Sequence, residues 1–264
     1  MSQSLTELDR GQRLARYYDL DFLDIDYDAE LYQQLASQAG GPVLELGTGS
    51  GRLAVPLALA GHEVVGLDDD PTMLSRAQAR WDTVRGEMSA ERFRVVAADF
   101  TTYRSDLRFG LALIAVNTFL LAEDDDARLS ILVTMREHLR SDGIAAVEVG
   151  TPDATELARY DRRIQHEWLR VDPETGDEVS KSICADHDPI AQTMEVTQIY
   201  EWTPAHGGVL SRVTKIDVLH LLSAEHLGEL AVEAGFTEVD LRGDHLLTPY
   251  HAGSHRTILL ARLV

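Results

Sequence analysis

The chain has 264 residues, 44% of them hydrophobic, enough to bury the core of one large domain or of one domain carrying a sizeable insertion. Its 44 acidic and 24 basic residues give a formal charge of −20, which repels nucleic acid, and no local basic patch offsets it. Cys184 is the only cysteine, so no disulfide can form within the chain, and no apolar run approaches the ~18 residues of a membrane span.

The opening MSQSLTELDR has no basic patch ahead of an apolar run, so it does not read as a secretory signal, and a cytoplasmic location is expected. Residues 5–18, with Leu5, Leu8, Leu14, Tyr17 and Tyr18, predict a short helix. The acidic stretch from Asp19 to Glu30 leads into a second helix ending at Gly40–Gly41, so residues 1–40 read as an N-terminal helical cap segment. Next come a buried strand at 41–46, a glycine turn at 47–51, a helix at 53–60 and a second strand at 63–68. Asp70 before Pro71 reads as a helix cap followed by a first-turn proline. FRVVAAD (93–99) and GLALIAVN (110–117) are two more strands, 125–140 is an amphipathic helix, and GIAAVEV (143–149) is a fifth strand. Such alternation predicts a parallel sheet covered on both faces.

After Gly150 the pattern changes. Segments 163–171, 178–186, 193–202 and 209–219 read as antiparallel strands joined by turn-forming connectors at 172–176, 187–189 and 204–208. Met194, Val196, Tyr200 and Trp202 alternate with Thr193, Glu195, Thr197 and Glu201, which predicts one dry and one wet face. A helix at 224–234 and strands at 237–242 and 256–263 then resume the first pattern. The expected organisation is therefore one domain from 41–150 and 223–264, with 151–222 inserted as an antiparallel β cap over the acceptor side and as a candidate homodimer surface.

The central motif is Glu45-Leu46-Gly47-Thr48-Gly49-Ser50-Gly51, between a strand and a helix. Its glycines let the backbone turn sharply and approach a ligand closely. Dinucleotide-binding enzymes use a similar loop, so the context decides. Asp68 ends the second strand, where a carboxylate can accept from both hydroxyls of a ribose. Asp99-Phe100 ends the third, suited to accept from an adenine amine while the ring contacts the base. Glu45 would repel a pyrophosphate and suits a ligand with a cationic amino-acid portion.

On VLELGTGSG (43–51), VVGLD (64–68), VVAADF (95–100), the strand ending at Asn117 and HRTILLARL (255–263), the chain resembles class I methyltransferases that use S-adenosylmethionine. The resemblance implies a Rossmann-like α/β fold with a mostly parallel seven-stranded sheet, helices on both faces and an antiparallel β insertion. It implies that Gly47, Thr48, Gly49 and Gly51 face the methionine portion, with Glu45 beside them, Asp68 on the ribose, and Asp99 with Phe100 on the adenine. In layout the chain is similar to the small-molecule branch, including amino-sugar and glycine-type N-methyltransferases, through Tyr17-Tyr18-Asp19 and the insertion at 151–222. Tyr17 or Tyr18 is thereby a candidate cover for the cofactor, with simple packing as the alternative.

Methyl transfer asks the protein chiefly to align a nucleophile and exclude water, with a general base useful for a protonated amine or a hydroxyl. Asn117 stands at the sheet edge that binds ligands in such folds, either orienting the acceptor or touching the cofactor, or simply forming a turn. His245, His251 and His255 supply candidate bases, and His245 is preferred because it lies nearest the end of its strand. No cysteine pair or helical metal signature accompanies them, so no metal is expected. Val149-Gly150-Thr151 stands where metal-dependent catechol enzymes of the family carry an Asp-Asn pair. The expected activity is metal-free methyl transfer to a nitrogen or oxygen of a small molecule. Two other readings stand beside it: a non-catalytic protein that binds the adenosyl cofactor, and a nicotinamide-dependent oxidoreductase.

Overall fold

A computed structural model describes residues 8–25, 27–205 and 207–263. Leu5, which belonged to the expected first helix, and residue 206 of the last insertion turn lie outside them. The chain forms two compact units, Ile25–Thr151 with Leu222–Val264, and Met1–Asp24 with Pro152–Leu221.

The larger unit is built on a seven-stranded sheet of order β10-β11-β5-β4-β1-β2-β3. These strands are β1 Val43–Leu46, β2 Val64–Asp68, β3 Phe93–Ala97, β4 Phe109–Ile114, β5 Leu139–Gly150, β10 Glu238–Arg242 and β11 Arg256–Arg262. β11 runs antiparallel to both β5 and β10, while the other pairs are parallel. The sheet is thus mostly parallel, as expected. The near-continuous apolar runs of β1 and β4 follow from burial on both faces. On one face α2 (Ala29–Ala39), α3 (Ala54–Leu59) and α4 (Pro71–Val84) bury Tyr32, Leu35, Val55 and Trp81 against Val43, Val64, Phe93, Leu111 and Ala146. The helices α5 (Asp125–His138) and α7 (Ala224–Glu233) pack on β4, β5, β10 and β11. Asp70 caps α4 as expected, accepting from Thr72 N at 2.7 Å with Pro71 in the first turn.

Three boundaries differ from expectation. β4 stops at Ile114, not Asn117, because Val116 takes a φ of +58° and leaves the ladder. β3 stops at Ala97, two residues before Asp99. Residues 1–40 do not hold together as one segment: α2 belongs to the sheet unit, because its apolar stripe covers β4 and β5, whereas α1 belongs to the other.

The smaller unit is a four-stranded antiparallel sheet, β6 Gln165–Val171, β7 Glu178–Asp188, β8 Thr193–Thr203 and β9 Ser211–His220, in that order. Its core joins Tyr17 and Leu20 of α1 (Arg10–Asp21) to Val179, Tyr200, Trp202 and Val213. Asp9 closes a capping box on α1 with Gln12. An additional helix, α6 (Ala154–Tyr160), stands ahead of the first insertion strand, capped by Asp153. Among the described residues, no helix is long and apolar enough to cross a membrane.

Candidate functional site

The sheet order reverses between β1 and β4, and in open α/β sheets the crevice beyond the strand ends at such a point takes the ligand. The glycine loop follows β1 there. Gly47 has a φ of +73°, and a Cβ on it would sit 2.6 Å from Thr118 Cγ2, so both conformation and space demand glycine. Thr48 donates its hydroxyl to Glu45 Oε2 at 2.7 Å. Gly66 lies opposite Glu45 on β2, and a Cβ there would meet Thr48 Oγ1 at 2.6 Å. One loop, one acid and one glycine of the next strand therefore depend on each other.

Glu45 is only 3% exposed. Burial pushes its carboxyl from 4.5 up to about 7, against the hydrogen bond from Thr48 and the charge of Arg52. A buried acid so close to neutrality gains by meeting a cation, which fits the ammonium of an amino-acid ligand. Arg52 in turn forks onto Asp28, with Nη1 and Nη2 at 2.7 and 2.6 Å, and so ties the entry to α2 to the glycine loop.

Asp68 accepts from Gly49 N at 2.8 Å and from Asp70 N at 3.0 Å, one on each oxygen. Burial raises its pKa. Each oxygen keeps a second lone pair, so two hydroxyls can still be accommodated. Asp99 is exposed, and its Oδ1 accepts from Thr101 N at 2.8 Å and Thr101 Oγ1 at 2.6 Å, with half-buried Phe100 beside it. That turn holds the carboxylate just past the edge strand β3.

Asn117 does more than form a turn. Its Oδ1 accepts from Gly150 N at 2.7 Å, joining the chain after β4 to the last residue of β5. The strained Val116 precedes it, and Leu247, with a φ of +60°, follows His245 by two residues. Such conformations cost on the order of 1–3 kcal/mol and gather at ligand sites. His245 is tied to Glu148, Nε2 to Oε1 at 3.0 Å, whereas His251 and His255 are exposed. Glu148, which no motif singled out, is the partner that holds His245; its signal was a lone carboxylate in the otherwise apolar GIAAVEV.

Tyr17 and Tyr18 belong to the smaller unit. Tyr17 is fully buried, stacked on Tyr200 with centroids 4.6 Å apart, so its ring serves the core of that unit. Tyr18 is half-buried against Phe22, with centroids 5.0 Å apart.

Comparison with known proteins agrees with this fold. Residues 43–143 match the family model described as "Methyltransferase domain". A curated relative, the cypemycin N-terminal methyltransferase of Streptomyces sp, is 29% identical over 124 residues; the match spans 47% of this chain and about half (48%) of the relative. Among solved structures, the CcbJ methyltransferase from Streptomyces caelestis superposes with a TM-score of 0.72 at 24% identity, covering 90% of each chain. S-adenosylmethionine-bound CalS10, an amino pentose methyltransferase from Micromonospora echinaspora, gives 0.70 at 16% identity, covering 94% of this chain and 97% of that one. Residues 43–143 thus match a methyltransferase domain, and the seven-stranded sheet shares its fold with solved S-adenosylmethionine-dependent methyltransferases.

Proposed function

We propose that the chain moves a methyl group from S-adenosylmethionine to a nitrogen or oxygen of a small-molecule acceptor, without a metal. The observation that carries this reading is buried Glu45, held by Thr48 beneath the glycine loop and poised near neutrality. It favours a cationic amino-acid portion and disfavours the pyrophosphate of a nicotinamide cofactor. When bound, the cofactor supplies an electrophilic methyl group on a sulfonium. The residues then divide the work. Glu45 and the loop hold the amino-acid portion, Asp68 the ribose, and Asp99 with Phe100 the adenine. Asn117 orients groups at the β4 edge, and His245 takes the acceptor's proton. The relative named for an N-terminus favours nitrogen as the acceptor atom. A labelled-donor assay across amines, phenols and sugars tests the reading. Donor binding with no methylation of any of them would leave a non-catalytic binder.

Asp68→Ala should leave the fold intact and raise the dissociation constant for S-adenosylhomocysteine at least about tenfold, since two charge-assisted hydrogen bonds of roughly 1.5–3 kcal/mol each go. Asp68→Asn, which keeps one acceptor oxygen, should fall between. Calorimetry showing an unchanged constant for the Ala variant would remove Asp68 from the site.

Residues 151–222 choose the acceptor in this reading, because every cofactor motif lies outside them. Exchanging the segment with a relative's should alter acceptor preference and leave cofactor affinity nearly constant. Lost cofactor binding with unchanged preference would refute the division. The exposed Leu169, Val171, Ile216 and Val218 of the same sheet support its second role as the surface of a homodimer.

A further inference from the structure

Beside the glycine loop's own residues, the sheet unit gathers a second polar cluster. Glu148 of β5 is 4% exposed, yet both its oxygens are engaged. Oε2 accepts from the hydroxyl of Tyr32 on α2 at 2.8 Å. Oε1 meets Arg256 Nη1 at 2.5 Å, from the first residue of β11, and His245 Nε2 at 3.0 Å, from the loop after β10. Arg256 Nη1 also lies 3.1 Å from that same Nε2. The Tyr27 ring flanks the imidazole, with centroids 5.2 Å apart, and Asp244 precedes it on its own loop.

These contacts decide which imidazole nitrogen carries the proton. Burial pushes Glu148 up, but the hydrogen bond and charge of His245, the charge of Arg256 and the Tyr32 hydroxyl outweigh it and hold the carboxyl below its ordinary value. It is therefore an anion with acceptors only. A bare Nε2 accepting from Arg256 would set a lone pair against the carboxylate oxygen at 3.0 Å with no proton between them. A protonated Nε2 lets the imidazole and the guanidinium both donate to Oε1. The second arrangement leaves Nδ1 as the acceptor.

We propose that Glu148 is a positioning residue that locks His245 as the Nε2–H tautomer, leaving Nδ1 to take the proton in methyl transfer. This rests on the reading of His245 as the base. In the step, a lone pair on the acceptor atom forms the bond to the methyl carbon, the carbon–sulfur bond breaks and its pair stays on sulfur. The acceptor's proton passes to Nδ1. The imidazolium remains paired with Glu148 until the proton leaves to solvent. Tyr32 and Arg256 keep the carboxylate from rotating, so the ring keeps its aim.

The test combines nitrogen-15 NMR of the full chain, with and without S-adenosylhomocysteine, and single-turnover rates. In the wild-type protein, neutral His245, assigned through H245Q, should show a protonated Nε2 and a bare Nδ1. E148Q should lose that clear preference and slow the chemical step at least about tenfold. Cofactor affinity should be unchanged. The wild-type spectrum needs no variant and decides the tautomer even if E148Q does not fold. A protonated Nδ1 in neutral wild-type His245, or an E148Q variant with the parental rate, would overturn the proposal. Parental turnover by H245Q beside an intact Nε2–H tautomer would overturn the base assignment instead, and with it the proton transfer proposed here.

Discussion

Glu45→Gln should stabilise the ligand-free protein above neutral pH while weakening its hold on the cofactor. The two effects have one cause. Glu45 is buried beneath the glycine loop, and burial raises its carboxyl from 4.5 to about 7. The folded state therefore binds this proton more tightly than the unfolded chain does. Stability from this group is full below about 4.5, declines as pH rises, and is lost once pH passes about 7. At about 1.36 kcal/mol per unit, the loss approaches ~3 kcal/mol at pH 8. Glutamine is neutral throughout, so the variant should match the wild type near pH 4 and exceed it near pH 8 in denaturant unfolding. The cofactor has the opposite interest, because an ammonium favours the ionised acid. Wild-type affinity should rise with pH to a plateau above about 7, with proton release on binding at lower pH. The Gln variant should bind roughly tenfold to a hundredfold more weakly at pH 8, the worth of a charge-assisted hydrogen bond, with no pH slope from this group. Calorimetry in two buffers of different ionisation enthalpy reads both quantities. Equal affinity at pH 8, with or without the stability gain, would make Glu45 a structural acid only.

Much of this could be read from the chain, and the exceptions have physical reasons. The strands of the large sheet announce themselves because burial on both faces demands unbroken apolar runs, as in GLALI of β4. The glycine loop is legible because only glycine tolerates the +73° of Gly47 beside Thr118. The end of β4 was not legible. Ala115 and Val116 prolong the apolar run, and a β-branched residue gives no warning of a φ of +58°. The α6 helix was not among the expected elements, although Asp153 three residues before Glu156 is a start signal. The role of Glu148 was hidden for another reason: it is 97 residues from His245 and 116 from Tyr32. Contacts at such separations follow from sheet order, and β11 enters the sheet between β5 and β10, out of chain order. Tyr17 shows the converse. Its place beside Asp19 suggested a ligand, but an aromatic on the buried stripe of α1 is first of all core.

His245→Gln should slow the chemical step by about 10²–10⁴-fold, the usual contribution of a general base, and leave cofactor affinity nearly unchanged. Glutamine is the informative replacement because its amide can still donate to Glu148, 3.0 Å from the native Nε2, without a nitrogen able to take a proton. A loss of rate would then report proton transfer rather than a collapsed loop. His245 is favoured over its neighbours because its side chain is 11% exposed and engaged on both Glu148 and Arg256, whereas His251 and His255 lie on the exposed part of the loop. His251→Gln and His255→Gln should therefore stay near the parental rate. Burial raises the Glu45 carboxyl to about 7, so the rates are to be compared at saturating cofactor to keep its ionisation out of them. A His245→Gln variant that turns over at the parental rate would leave alignment of the acceptor, worth as much as about 7–11 kcal/mol in well-oriented systems, as the whole of the protein's contribution to catalysis.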